Sequence, residues 1–224
     1  VPKAALIEQA GKVWHVSGMF RIPGAIELSR KYCEEIDWAG KVFFTNSGAE
    51  AVECAMKTAR RYHYDKGDEE RYEIITFTGA FHGRTFGTIN AGGNPKYLKG
   101  FGPAIPGFTH LPFEELANLE EHLSDKTAAV LFEPVQGEGG LRPIPIDLLI
   151  KVRNQCTENG TLVIYDEVQC GASRTGQLFA HQWVDGGHPD IMAVAKGVGG
   201  GFPLGAVIAS DAAAKHMVPG THGT

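Results

Sequence analysis

Cysteine is scarce in this 224-residue chain, and the four present, Cys33, Cys54, Cys156 and Cys170, form no C-x-x-C pair. That scatter argues against a disulfide framework or a zinc site and suits the reduced thiols of a cytoplasmic protein. Basic residues are outnumbered as well. The chain carries 21 lysines and arginines against 26 aspartates and glutamates, a net charge of -5, which argues against nucleic acid as the main partner. No apolar run reaches the roughly 18–20 residues of a membrane span, and the first residues lack the pattern of a secretory signal. Nor does any GxxxxGK[ST] or GxGxxG open a helix after a strand, which removes the commonest nucleotide-binding readings.

What remains is an ordinary balance for a globular protein, 43% apolar and 21% charged, with one excess. Glycine accounts for 29 residues, roughly double its usual share of about 7%. The glycines gather at 79–107, 137–140, 171–176 and 197–205, as tight turns beside a ligand would require. No Pro/Ser linker or repeat divides the chain. Its start at Val1 and its stop at "VPGTHGT" lead to the expectation of a piece of something longer.

Six short apolar runs read as strands: 41–46, 72–78, 127–135, 161–168, 190–196 and 204–210. Between the first two, Ala51, Cys54, Ala55, Thr58 and Tyr62 recur at helical spacing behind a capping Ser47. "IDLLIKVRNQCTENG" is a second helix, stopped by Asn159-Gly160. Apolar strands alternating with helices predict an α/β fold with a mostly parallel sheet covered on both faces. The loop before the last run is too short for a parallel crossover, so that strand is expected to run antiparallel.

The strand exits carry the candidate chemistry, where open α/β sheets bind ligands. "TNSGAEA" turns directly into a helix, and the N–H groups of Ser47, Gly48 and Ala49 suit either an anion or an ordinary cap. "GAFHGRT" offers two flat faces, Phe81 and His82, and in Arg84 a fork for a carboxylate, or else a solvated loop. Asp166 follows an apolar core strand and needs a cationic partner, a cap or a magnesium ion to sit there. Glu167 falls on the opposite face by alternation. Lys196 ends an apolar run before a glycine cluster, either as a strand-edge lysine or as an amine whose surroundings make its neutral form accessible. Neutral lysine is what forms a Schiff base with an aldehyde. Lysine, carboxylate, aromatic face and phosphate turn together are what a pyridoxal cofactor asks of a protein.

"FFTNSGAEA", "GAFHGRT", "EPVQGEGG", "DEVQCGASRTG" and "AKGVGGGFPLGA", in this order, resemble the class III pyridoxal-phosphate-dependent aminotransferases, nearest their acetylornithine branch. The resemblance runs almost from end to end. It implies the fold-type-I large domain over 1–224, with a seven-stranded-type sheet, and the family's N-terminal segment and C-terminal small domain absent. It implies that Lys196 holds pyridoxal 5'-phosphate and moves the substrate proton, that Asp166 pairs with the ring nitrogen, and that Gln169 bonds the phenolic oxygen. Phe81 and Val168 would face the ring, with His82 and Glu167 nearby, and Ser47, Gly48 and Ala49 would take the phosphate. Arg84 and Glu138 match substrate-contacting residues, Glu133 a supporting one, and Thr224 a residue lent to the partner's site in a homodimer. The phosphate-binding threonine that normally follows has no counterpart, and Ala172-Ser173 stands where relatives often carry a bulkier first residue.

The implied reaction is ping-pong transfer from N-acetylornithine to 2-oxoglutarate, a step of arginine biosynthesis, with no nucleic acid or membrane involved. Ornithine, succinylornithine and 4-aminobutyrate transamination are the sister readings, and a truncated, non-catalytic core is the reading from another class.

Overall fold

The computed structural model describes residues 2–223. An exposed helix α1 (Pro2–Ala10) and an amphipathic α2 (Pro23–Glu35) precede the first strand, β1 (Lys41–Thr45), and the long helix α3 (Gly48–Asp65). After β2 (Glu73–Phe77) come the short helices α4 (Phe86–Gly92) and α5 (Pro95–Leu98), then β3 (Phe108–Leu111) and β4 (Thr127–Phe132). A small hairpin, β5 (Val135–Gln136) and β6 (Arg142–Pro143), leads into α6 (Ile146–Asn159). The chain closes with β7 (Leu162–Asp166), β8 (Ile191–Val194), β9 (Gly205–Ala209) and α7 (Asp211–Ala214).

Seven strands form one sheet in the order β1-β9-β8-β7-β4-β2-β3. Within it β9 runs against both neighbours, β8 on one side and β1 on the other, as its short connection from β8 demands. The other pairings are parallel. Strand β3 and the β5–β6 hairpin are additions to the sequence reading, and the strands predicted to 135, 168 and 196 stop earlier, at Phe132, Asp166 and Val194.

Alternation along the strands builds two cores. Ile74, Ala129, Leu131, Ile164, Ala193 and Val207 face α3, while Ile75, Val130, Phe132, Val163, Met192 and Ile208 face the α2 and α6 side. Successive side chains on a strand point to opposite faces, so both must be apolar where both are covered. Helix α3 meets its face through Ala51, Ala55 and Ala59, all fully buried. Spaced four apart, they form a smooth stripe that lets the helix axis come close to the sheet. Helix α6 ends where Gly160 turns left-handed at φ 77°. Among the described residues no helix is long and apolar enough to cross a membrane.

Candidate active site

Strand order sets the site. Adjacent strands β7, β8, β9 and β1 bring together Asp166, at the end of β7, Lys196, two residues past β8, and the β1–α3 turn. The loop after β2 reaches the same place through one bond. His82 Nδ1 lies 2.8 Å from Asp166 Oδ2, and Val168 N–H donates to Oδ1 at 3.0 Å. A carboxylate only accepts, so His82 carries a proton on Nδ1 and donates it. Both side chains are buried, and this pairing offsets the desolvation of Asp166. His82 Nε2 is buried without a protein partner among the described residues, a position that costs about 1–3 kcal/mol unless a ligand answers it.

Glu133 lies behind this pair, buried, with Phe81 N–H donating to Oε2 at 3.1 Å. Burial, and then the charge of Asp166, push its pKa up from 4.5 to about 7, with His82 and backbone N–H groups opposing. The folded chain thus binds this proton more tightly than the unfolded one. The resulting stability is full below about 4.5 and is lost as pH rises through about 7. Glu133→Gln cannot ionise and still accepts from Phe81. Its urea midpoint is expected to fall less than the wild type's between about pH 5 and about pH 8. Equal pH slopes in the two proteins would contradict this assignment.

Ser47 caps α3, its Oγ accepting from Glu50 N–H at 3.2 Å, while Glu50 Oε2 accepts from Asn46 N–H at 2.6 Å. The first helical amides, Gly48 and Ala49, have no intrahelical acceptor and belong to residues that line the cleft at the positive end of an 18-residue helix. A Cβ on Gly48 would stand 2.6 Å from Val168 Cγ1, so glycine is required for the turn to pack against the strand exit.

Lys196 opens a short 3-10 turn, Lys196–Gly199, with φ +51°. The left-handed region costs a side-chain-bearing residue about 1–2 kcal/mol, which marks the position as held for a purpose. In place of the partly apolar surroundings expected from the sequence, the side chain is exposed at the wall of a cleft.

The cleft encloses roughly 790 Å³ and gathers Ser47, Gly48, Ala49, Phe81, His82, Arg84, Asp166, Val168 and Lys196. Arg84 lies over the rings of Tyr97 (4.5 Å) and Phe81 (5.4 Å). Three residues that the family resemblance drew to the site, Glu167, Gln169 and Glu138, fall outside the cleft lining, and Thr224 lies outside the described residues. The structure turns Glu167 away, because its carboxylate accepts from Ala180 N–H (2.8 Å) and His181 N–H (3.2 Å) and so anchors that loop. Gln169 packs on Gly137, where an added Cβ would collide with Oε1. Glu138 is exposed, with the Tyr97 hydroxyl 3.5 Å from its Oε1. Tyr97 and Arg174, the latter also in the cleft lining, are additions that sequence reasoning missed. A larger cavity of roughly 900 Å³, between Phe43, Met217 and His222, holds none of the strand-exit chemistry.

The model of the class-III aminotransferases matches residues 3–224. The chain belongs to that family. An acetylornithine aminotransferase of Mesorhizobium japonicum is 58% identical over 99% of this chain and 55% of its own length. One of Brucella melitensis is 57% identical over 96% and 53%. The chain therefore spans about half the length of the curated class-III relatives it matches. The crystal structure of the ornithine aminotransferase of Toxoplasma gondii superposes with a TM-score of 0.92 at 31% identity, over 100% of this chain and 53% of that one. N-acetylornithine aminotransferase from Stenotrophomonas maltophilia gives 0.81 at 38%, over 96% and 53%.

Proposed function

We propose that this chain is the pyridoxal-phosphate-binding large domain of an N-acetylornithine transaminase, working as a cytoplasmic homodimer in arginine biosynthesis. The observation that carries the reading is a strained, exposed lysine opposite a buried, histidine-paired aspartate in one cleft. Identities of 55–58% with acetylornithine aminotransferases support the choice of donor.

The cleft fits the cofactor on its own terms. A flat anionic pyridine needs an amine, a carboxylate, apolar faces and unbonded amides, and each is present in the cleft lining. Lys196 would hold its aldehyde carbon, Asp166 its ring nitrogen, Phe81 and Val168 its faces, and the Gly48 and Ala49 amides its phosphate. Bound there, pyridoxal phosphate supplies an aldehyde that captures amines and a ring that withdraws electrons from the carbon beside the nitrogen.

The rest falls to the protein. His82 Nδ1 and Val168 N–H hold the Asp166 carboxylate in place. Lys196, when not holding the aldehyde, would be placed to remove the proton from the donor's amine-bearing carbon as general base. Arg84, kept upright by Tyr97 and Phe81, takes a carboxylate with its fork.

The test of donor choice is the first half-reaction on the full-length protein, followed by absorbance. N-acetylornithine is expected to react at least about tenfold faster than ornithine, since among the described residues the cleft lining offers a second ammonium no carboxylate besides Asp166. Faster reaction with ornithine or 4-aminobutyrate would move the protein to a sister activity.

A further inference from the structure

Behind the cleft lies a buried acid that the proposed mechanism leaves unused. Asp166 and His82 belong to the cleft lining, whereas Glu133, equally buried, stays outside it. One loop ties the three together. Phe81 N–H donates to Glu133 Oε2 at 3.1 Å, and the next residue, His82, donates from Nδ1 to Asp166 Oδ2 at 2.8 Å. Neither carboxylate makes an ion pair with a lysine or arginine among the described residues, so His82 is the basic group of this cluster. Two buried carboxylates thus share one imidazole. Were both ionised, one negative charge would stay buried and unpaired even beside a doubly protonated His82, which is strongly unfavourable. A proton on one carboxylate removes that charge. Asp166 has an imidazole N–H and a backbone amide as donors, Glu133 backbone amides only, so the proton falls to Glu133.

Burial and the charge of Asp166, which raise the Glu133 pKa to about 7, agree with this placement. Cys170, the other titratable group beside Glu133, is a neutral thiol whose pKa burial pushes far above its ordinary range. The balance changes when a cation meets Asp166, as a protonated pyridine nitrogen would under the transaminase reading on which this step rests. That cation offsets the Asp166 charge, and ionised Glu133 then no longer faces an uncompensated neighbour. We propose that Glu133 is a proton store for the cofactor site, holding a proton before pyridoxal phosphate binds and releasing it to solvent when the ring nitrogen pairs with Asp166. The site gains one positive charge at the ring and gives up one at Glu133. By linkage, the released proton makes cofactor affinity rise with pH, until the pH at which Glu133 has already ionised in the cofactor-free protein. Glu133 touches no cofactor atom in this scheme and acts through Asp166, as a positioning residue.

The experiment is an absorbance titration of the cofactor-free, full-length protein with pyridoxal phosphate, repeated between about pH 5.5 and about pH 8. Lys196 and the cofactor titrate as well, so the quantity read is the difference between wild type and Glu133→Gln, which cannot ionise and still accepts from Phe81 N–H. Wild-type affinity is expected to gain at least about threefold more over this range than that of the variant. With 1-deazapyridoxal phosphate, which has carbon in place of the ring nitrogen, the difference should vanish. A second reading needs no variant. At about pH 6 the infrared spectrum of wild type should show the C=O stretch of a protonated carboxyl and lose it when pyridoxal phosphate is added. Equal gains in the two proteins, a difference that persists with the deaza analogue, or an infrared band that is absent or unchanged would each overturn the proposal. A wild type that binds no pyridoxal phosphate defeats the transaminase reading and the proposal with it, whereas binding with equal gains defeats only the role of Glu133.

Discussion

Lys196→Ala is expected to lower amino-group transfer by at least roughly a thousandfold, because in the proposed reaction it removes both the cofactor's covalent holder and the base that moves the substrate proton. Fold stability should barely change. Lys196 has no side-chain bond among the described residues, and alanine shares its dislike of φ +51°. Glycine does not, so Lys196→Gly should be equally inactive yet more stable than Lys196→Ala by about 1 kcal/mol, seen as a higher urea midpoint. Together the two variants separate chemistry from strain. If Lys196→Ala kept substantial activity, or Lys196→Gly were the less stable variant, the lysine would not be a residue held in strain for catalysis.

Asp166→Asn is expected to lower transfer by roughly a hundredfold or more while keeping the side chain's volume. The amide oxygen can still accept from Val168 N–H or from His82, but the negative charge proposed to meet the ring nitrogen is gone. Asp166→Ala goes further. It leaves His82 Nδ1 and Val168 N–H unpaired in a site where Asp166 and His82 are 2% and 3% exposed. Such orphaned donors cost about 1–3 kcal/mol, so the alanine variant should unfold at clearly lower urea than the asparagine one. Steady-state transfer and urea midpoints, measured on both, test this. Full activity in Asp166→Asn would show that the charge is dispensable.

The fold was legible wherever burial on both faces leaves an unbroken apolar run. "TAAVLF" and "LVIYD" are wholly buried strands, and their composition announces them. Strand β3, "FTHL", escaped because an edge strand needs to bury only part of itself, and its two middle residues are exposed. Helix α2 escaped for a related reason, as Tyr32 is its one buried residue. Ser47 and Gly160 are different, since each acts through local backbone geometry that its residue type prescribes.

The site divides along the same line. Asp166, Lys196 and the Ser47 turn stand at strand exits, where residue chemistry alone singles them out. Alternation also set Glu167 on the face opposite Asp166, and its carboxylate there accepts from the N–H groups of Ala180 and His181. The His82–Asp166 bond joins residues 84 positions apart, a distance that only the sheet order closes. Arg174, in the cleft lining, follows left-handed Ala172 and Ser173, a conformation no propensity assigns to them.

The most direct test of the central claim is to load the protein with pyridoxal phosphate, reduce it with borohydride, and map the digested peptides by mass. A pyridoxyl group is expected on Lys196 and on no other lysine. A label elsewhere, or a folded protein that takes no label at all, would contradict it.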